Sequence, residues 1–131
     1  MTGVQTCALP ICEAYATLHY DYDTKEIWVD KAIESSLKAL MYDATLSEAY
    51  AALGLAYFDR KELDEAVSAT RKAIELDRRD PWAHHVVAHC LEARGRMLEG
   101  VAFLRAMSDT WADCNSFMLT HNWWQIGRAH V

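Results

Sequence analysis

The chain is predicted to be all-α, about seven helices paired antiparallel and stacked side by side as a solenoid. Three observations carry this. The first is self-similarity at a step of 34 residues: Ala49 falls on Ala83, Leu53 on Val87, Gly54 on Ala88, Tyr57 on Leu91, Glu65 on Glu99 and Val67 on Val101. In the other direction Ala32 falls on Ala66, Ala39 on Ala73, Leu40 on Ile74 and Asp43 on Asp77. The second is composition: 131 residues with 52% hydrophobic content can bury a core, and only 5 glycines and 2 prolines suit helices better than many-stranded sheet. The third is helical spacing: Leu53 and Tyr57 are four apart and share one face, while Gly54 and Ala66 are small enough to let two helices approach closely.

Seven helices are expected, over 13–22, 26–42, 47–59, 63–77, 81–94, 97–107 and 114–124. In the first unit Glu13-Ala-Tyr-Ala-Thr-Leu18 echoes Glu48-Ala-Tyr-Ala-Ala-Leu53 at a step of 35, which puts one extra residue in the turn near 23–26. Insertions in repeats go to loops and cost little there. Thr45 with Glu48 fits a capping box, and Asp80 before Pro81 fits a capped first turn. Gly95 divides the two helices of the third unit. The stretch from Glu48 to Asp77 resembles a tetratricopeptide repeat. That resemblance implies a right-handed solenoid in which each helix pair leaves an apolar face for its neighbour to cover.

The two ends read differently from the middle. Written as ATC GGA AGA GCA CAC GTC, the codons of Ile126 to Val131 have a complementary strand that encodes Thr6-Cys7-Ala8-Leu9-Pro10 one base out of frame. Both ends resemble a sequencing-library adapter translated on opposite strands. Residues 1–12 and 125–131 are therefore expected to be adapter-derived tails, with Cys12 and Gln125 as hybrid junction codons. The repeat proper is expected to span 13–124, in units of 13–45, 46–79 and 80–113 and a partial 114–124, as a fragment of a longer array whose unfinished face carries Trp123 and Trp124.

Charge and motif content exclude several roles. A net charge of −6 argues against nucleic acid, whose phosphates need clustered Lys and Arg. No apolar run approaches the length of a membrane span, and the N-terminus lacks the basic and apolar regions of a signal peptide. The four cysteines (Cys7, Cys12, Cys90 and Cys114) show no CxxC pair or framework spacing, so free thiols and a cytoplasmic location are expected. No nucleophile–base pair, glycine-rich phosphate loop or oxyanion motif is present, so a non-enzymatic role without cofactor is expected.

The third unit is the more distinctive. It runs Asp80-Pro-Trp-Ala-His-His-Val-Val-Ala-His89 through Glu92, Gly95-Arg96, Glu99-Gly100 and Trp111 to His121-Asn-Trp-Trp124. It resembles the tetratricopeptide repeat protein 38 family over residues 80–124. The resemblance implies a helical-repeat protein and no particular chemistry.

Trp82, His85, His89 and Glu92 are spaced three, four and three, one stripe of one helix. The matching stripe of the second unit is Glu48, Ala51, Leu55 and Phe58. In such arrays this face lines the concave groove. The groove candidates are thus Trp82, His85, His89, Glu92, Glu48, Leu55 and Phe58, and the expected partner is a protein or peptide with mixed apolar and charged groups. Two alternatives stand beside this. His85 and His89 have the i, i+4 spacing of two metal ligands with Glu92 as a third, although the Glu beside the first His of a zincin helix is missing. The other alternative is a regulatory repeat of a larger enzyme. His121 is expected at a core-facing position as a hydrogen-bonded structural residue, and Asn122, in register with Gly54, at the helix interface. Cys90 lies about 100° around the helix from His89, away from that stripe.

Overall fold

The computed structural model describes residues 26–114 and 116–128. Six α-helices follow in order: α1 Glu26–Tyr42, α2 Ser47–Asp59, α3 Leu63–Leu76, α4 Pro81–Ala93, α5 Met97–Met107 and, after a 3-10 turn at Ser108–Trp111, α6 Ser116–Arg128. They match six of the expected helices closely, except that α6 runs on through Gln125 and Ile126. The whole N-terminal tail at 1–12, the helix expected at 13–22, residues 23–25 of the turn expected to hold the insertion, and residues 129–131 lie outside the described residues. Each helix packs mainly on its sequence neighbours; α2 also touches α4, and α4 also touches α6. No described helix is long and apolar enough to cross a membrane.

The 34-residue step is physical. Ala32 and Ala66, Ala39 and Ala73, and Ala49 and Ala83 are all fully buried. Only a methyl group fits where two helix backbones approach so closely. On α3 the buried positions Ala66, Ala69, Thr70 and Ala73 form one stripe, with Arg71, Lys72 and Glu75 outside. In contrast α2 is buried almost all round from Ala49 to Ala56, because α1, α3 and α4 surround it.

The turns repeat as closely as the helices. Arg60, Lys61 and Glu62 donate their backbone N–H groups to Ala56, Phe58 and Tyr57; Arg94, Gly95 and Arg96 donate to Cys90, Glu92 and Leu91. Every partner is shifted by the same step. This is the paired-bond helix ending in which the residue after the cap turns left-handed, and Lys61 and Gly95 have φ of 66° and 71°. Surface ion pairs repeat too: Arg60 meets Asp30 at 3.5 Å, and Arg94 meets Asp64.

Two capping expectations part company. Asp80 Oδ1 accepts from Trp82 N at 3.0 Å and Ala83 N at 3.2 Å, with Pro81 opening α4. The Thr45–Glu48 box does not form. The cap position falls on Leu46, and Thr45 turns back to Asp43, donating through its N–H at 2.9 Å and its hydroxyl at 2.5 Å. Asp43, one residue past α1, outcompetes the next helix for that hydroxyl, and the same two bonds hold its carboxyl below its ordinary value.

Candidate functional site

Helix α4 carries the stripe Trp82, His85, His89 and Glu92, fixed in rotation by its Asp80 cap and by burial of Ala83, Val86 and Cys90 on the adjoining face, about 100° around the helix. Val86 and Cys90 join Leu55 and Ala56 of α2 in one core cluster. Helix α6 then crosses α4. Asn122, fully buried, donates from Nδ2 to the Pro81 carbonyl at 3.5 Å, and Ile126 enters the core with Val101, Leu104 and Trp111. This crossing brings His121 and Gln125 against the α4 stripe.

The result is a cluster of three imidazoles. The His85 ring lies 4.3 Å from that of His89 and 4.5 Å from that of His121, edge-on to both. Nδ1 of His85 donates to Oε1 of Gln125 at 3.0 Å, since an amide oxygen can only accept. Nε2 of His85 is thereby left with its lone pair. Nδ1 of His89 lies 3.4 Å from a Glu92 carboxylate oxygen. Aromatic rings wall the cluster: Phe58 stacks on His89 at 5.5 Å, Trp82 meets His85 edge-on at 6.0 Å, and Trp124 leans on His121 at 5.8 Å.

Burial dominates the electrostatics. It pushes the His85 pKa down to about 3, helped by the nearby His89 and His121 and opposed by the Gln125 bond. Burial also lowers His121. His85 is therefore a neutral imidazole at physiological pH, a nitrogen donor and not a cation. Cys90, on the buried side of α4, is pushed up to about 11 by the same effect, so it is a thiol and not a thiolate.

The seven groove candidates separate into two sets. Trp82 (41% exposed) and Glu48 are open to solvent, and Phe58, His89 and Glu92 are half-buried. His85 (1%) and Leu55 (8%) are buried, because α6 covers the first and α4 the second. They support the surface from behind. His121, half-buried on α6, joins the α4 histidines. It and Gln125 are four apart on α6, the same spacing as His85 and His89, and that shared i, i+4 pattern was the available signal. His84, next in sequence, faces away, held by the Arg78 carbonyl at 2.8 Å and the Trp111 indole at 3.1 Å.

A family model described as anaphase-promoting complex, cyclosome, subunit 3 matches residues 18–107. The chain is also similar to solved structures. The type III secretion translocator chaperone SycD of Yersinia enterocolitica, in its alternative dimer, superposes with a TM-score of 0.76 at 16% identity, over 98% of this chain and 96% of that one. The first TPR domain of human RPAP3 gives 0.70 at 20% identity, over 96% and 94%. The first TPR of Spaghetti (RPAP3), bound to the HSP90 peptide SRMEEVD, gives 0.70 at 20% identity, over 96% and 97%. At these identities the likeness establishes the stacked helix-pair fold.

Proposed function

The chain belongs to the family of anaphase-promoting complex, cyclosome, subunit 3, and from that premise we propose that it is a helical-repeat scaffold that binds a peptide segment of a protein partner. The observation that carries this reading is Trp82. It is 41% exposed, on the face where Glu48, Phe58, His89 and Glu92 also reach the surface. An exposed Trp on a rigid helix, backed by buried Leu55 and His85, has the character of an interface anchor: a large apolar area with little conformational entropy to lose.

The chemistry of that face selects its ligand. Glu48 and Glu92 supply carboxylates, and none of these five residues is Lys or Arg. The SRMEEVD segment held by the Spaghetti repeat carries three carboxylate side chains. The face described here suits the opposite: a segment with a basic residue to meet Glu48 or Glu92 and an apolar or aromatic one to meet Trp82 and Phe58. The likeness of the third unit to the tetratricopeptide repeat protein 38 family supports the same scaffold role.

A peptide array probed with the full chain tests this. Basic–aromatic peptides are expected to be retained and acidic ones passed over. Trp82→Ala is expected to weaken retention about thirtyfold, the scale of an interface hot spot. Glu48→Lys is expected to shift preference toward acidic peptides. Retention unaffected by both substitutions would overturn the reading.

A further inference from the structure

We propose that His85, His89 and His121 form a binding site for a divalent metal ion of borderline softness, zinc foremost, that ties α6 to α4. One ligand nitrogen from each of the three lies within 4.8 Å of the other two. A tetrahedral zinc ion with zinc–nitrogen bonds of about 2.0–2.1 Å holds its ligand nitrogens roughly 3.3 Å apart. The rings must therefore close by no more than about 1.5 Å. Histidine χ2 is a broad torsion, so small ring rotations supply this movement at low cost.

The surroundings of the three rings fit a metal ion. Metal-ligating histidines generally give their second nitrogen to a carboxylate or carbonyl, which fixes the tautomer and strengthens the donor. Here Gln125 Oε1 takes His85 Nδ1–H, and Glu92 stands 3.4 Å from His89 Nδ1. Both arrangements leave Nε2 as the coordinating atom. The site is sheltered by Phe58, Trp82 and Trp124, and His85 itself is buried. The donor set is nitrogen only: Cys90 lies about 100° around α4 from His89 and belongs to the core cluster. Three imidazoles suit zinc, copper(II) or nickel more than calcium or magnesium, which take oxygen. A fourth position remains for water.

The role is distinct from peptide binding. His85 and His89 sit on α4 and His121 on α6, so an ion shared among them clamps the two helices, and its binding energy adds to the stability of the array. Glu92, placed among the ligands by sequence spacing alone, becomes the carboxylate that orients His89.

The experiment titrates the full, metal-stripped chain with zinc chloride against a chromophoric chelator, and records the spectrum of the cobalt(II)-loaded protein. One equivalent of zinc is expected, with a rise in the thermal midpoint. His89→Gln and His121→Gln are each expected to weaken binding more than about tenfold, since removing even a group that only orients a metal-bound histidine costs that much. The cobalt spectrum needs no substitution, so it reports even if a variant misfolds; tetrahedral nitrogen and oxygen ligation is expected, without a thiolate charge-transfer band. No zinc uptake by the unmutated chain, equal uptake by the cluster variants, or a thiolate band would each overturn the proposal.

Discussion

The indole N–H of Trp111 donates to Nδ1 of His84 across 3.1 Å, and both rings are fully buried. An indole nitrogen can only donate, so Nδ1 is the acceptor and the proton resides on Nε2, which donates to the Arg78 carbonyl at 2.8 Å. One side chain thus joins the turn before α4 to the 3-10 turn after α5. Burial lowers the His84 pKa and keeps this neutral form. Trp111→Phe keeps the aromatic packing but removes the only proton aimed at Nδ1. It is expected to cost on the order of 2–3 kcal/mol, mostly the penalty of a buried acceptor left unmet. Urea unfolding reads this as a lower midpoint with an unchanged slope. A double-mutant cycle with His84→Phe should give a coupling of at least about 0.5 kcal/mol; additive losses would remove the bond from the account.

Two glycines in equivalent crossings should respond oppositely to alanine. Gly54 sits against Ala66 and Thr70, and an added Cβ would collide with Thr70 Cγ2 and stand 3.2 Å from the Ala66 carbonyl oxygen. Thr70 cannot swing aside cheaply, since its hydroxyl bonds the Ala66 carbonyl at 2.7 Å. One repeat later the roles exchange: Ala88 stands in place of Gly54, and Gly100 in place of Ala66. A Cβ on Gly100 would meet nothing closer than 3.6 Å. Gly54→Ala is expected to lose roughly 1–3 kcal/mol. Gly100→Ala is expected to gain about 0.5–1 kcal/mol through helix propensity and a less free unfolded chain. Thr70→Ser, which removes the colliding methyl, should recover most of the first loss; failure to do so would place the strain elsewhere.

The repeat made the fold legible and the site only partly so. Alanines at a fixed step mark helix crossings, and Ala32, Ala66, Ala39, Ala73, Ala49 and Ala83 are all fully buried. Helix boundaries followed, because periodicity and the Asp80-Pro81 cap are local. The histidine cluster is not local. His121 aligns with Leu53 at twice the step, which marks it as core-facing; that it meets His85 depends on how α6 crosses α4, an angle no local pattern contains. The same crossing buries His85, which stripe spacing alone assigned to an open groove. Thr45 failed as a cap for a local reason: Asp43 offered its hydroxyl a nearer acceptor.

The left-handed turn position holds a lysine in one repeat and a glycine in the next. Lys61 and Gly95 occupy the same place one repeat apart, at φ 66° and 71°. A side chain there costs about 1–2 kcal/mol that glycine avoids. No atom lies within 4 Å of where a Gly95 Cβ would be, so Gly95→Ala isolates the backbone effect and is expected to cost about 1 kcal/mol. Lys61→Gly is expected to gain less. It relieves the same strain but loses the ammonium set 5.7 Å from the Phe58 ring centroid, and it frees the unfolded chain. A net gain of a few tenths to about 1 kcal/mol in chemical denaturation fits; a loss would mean the cation–aromatic contact outweighs the backbone.

Asp80 gives the stability of the array an unusual slope with pH. Its carboxyl is pushed from an ordinary 3.8 up to about 6, first by burial and then by the neighbouring Glu48 and Asp77, against the two backbone N–H groups that it caps. A carboxyl whose folded pKa is raised binds its proton more tightly in the folded state. Between about pH 4 and 6 the folded chain therefore holds more protons than the unfolded one, and raising the pH through that window removes stability. The full loss is on the order of 2–3 kcal/mol above pH 6, at 1.36 kcal/mol per unit. Asp80→Asn keeps an effective cap at the start of α4 and removes the titration. Denaturation measured from pH 4 to 7 should show the variant gaining on the unmutated chain as pH rises, by that amount at neutrality. A pH-independent difference between the two would show that ionised Asp80 carries no burial cost and that its cap bonds fully offset it.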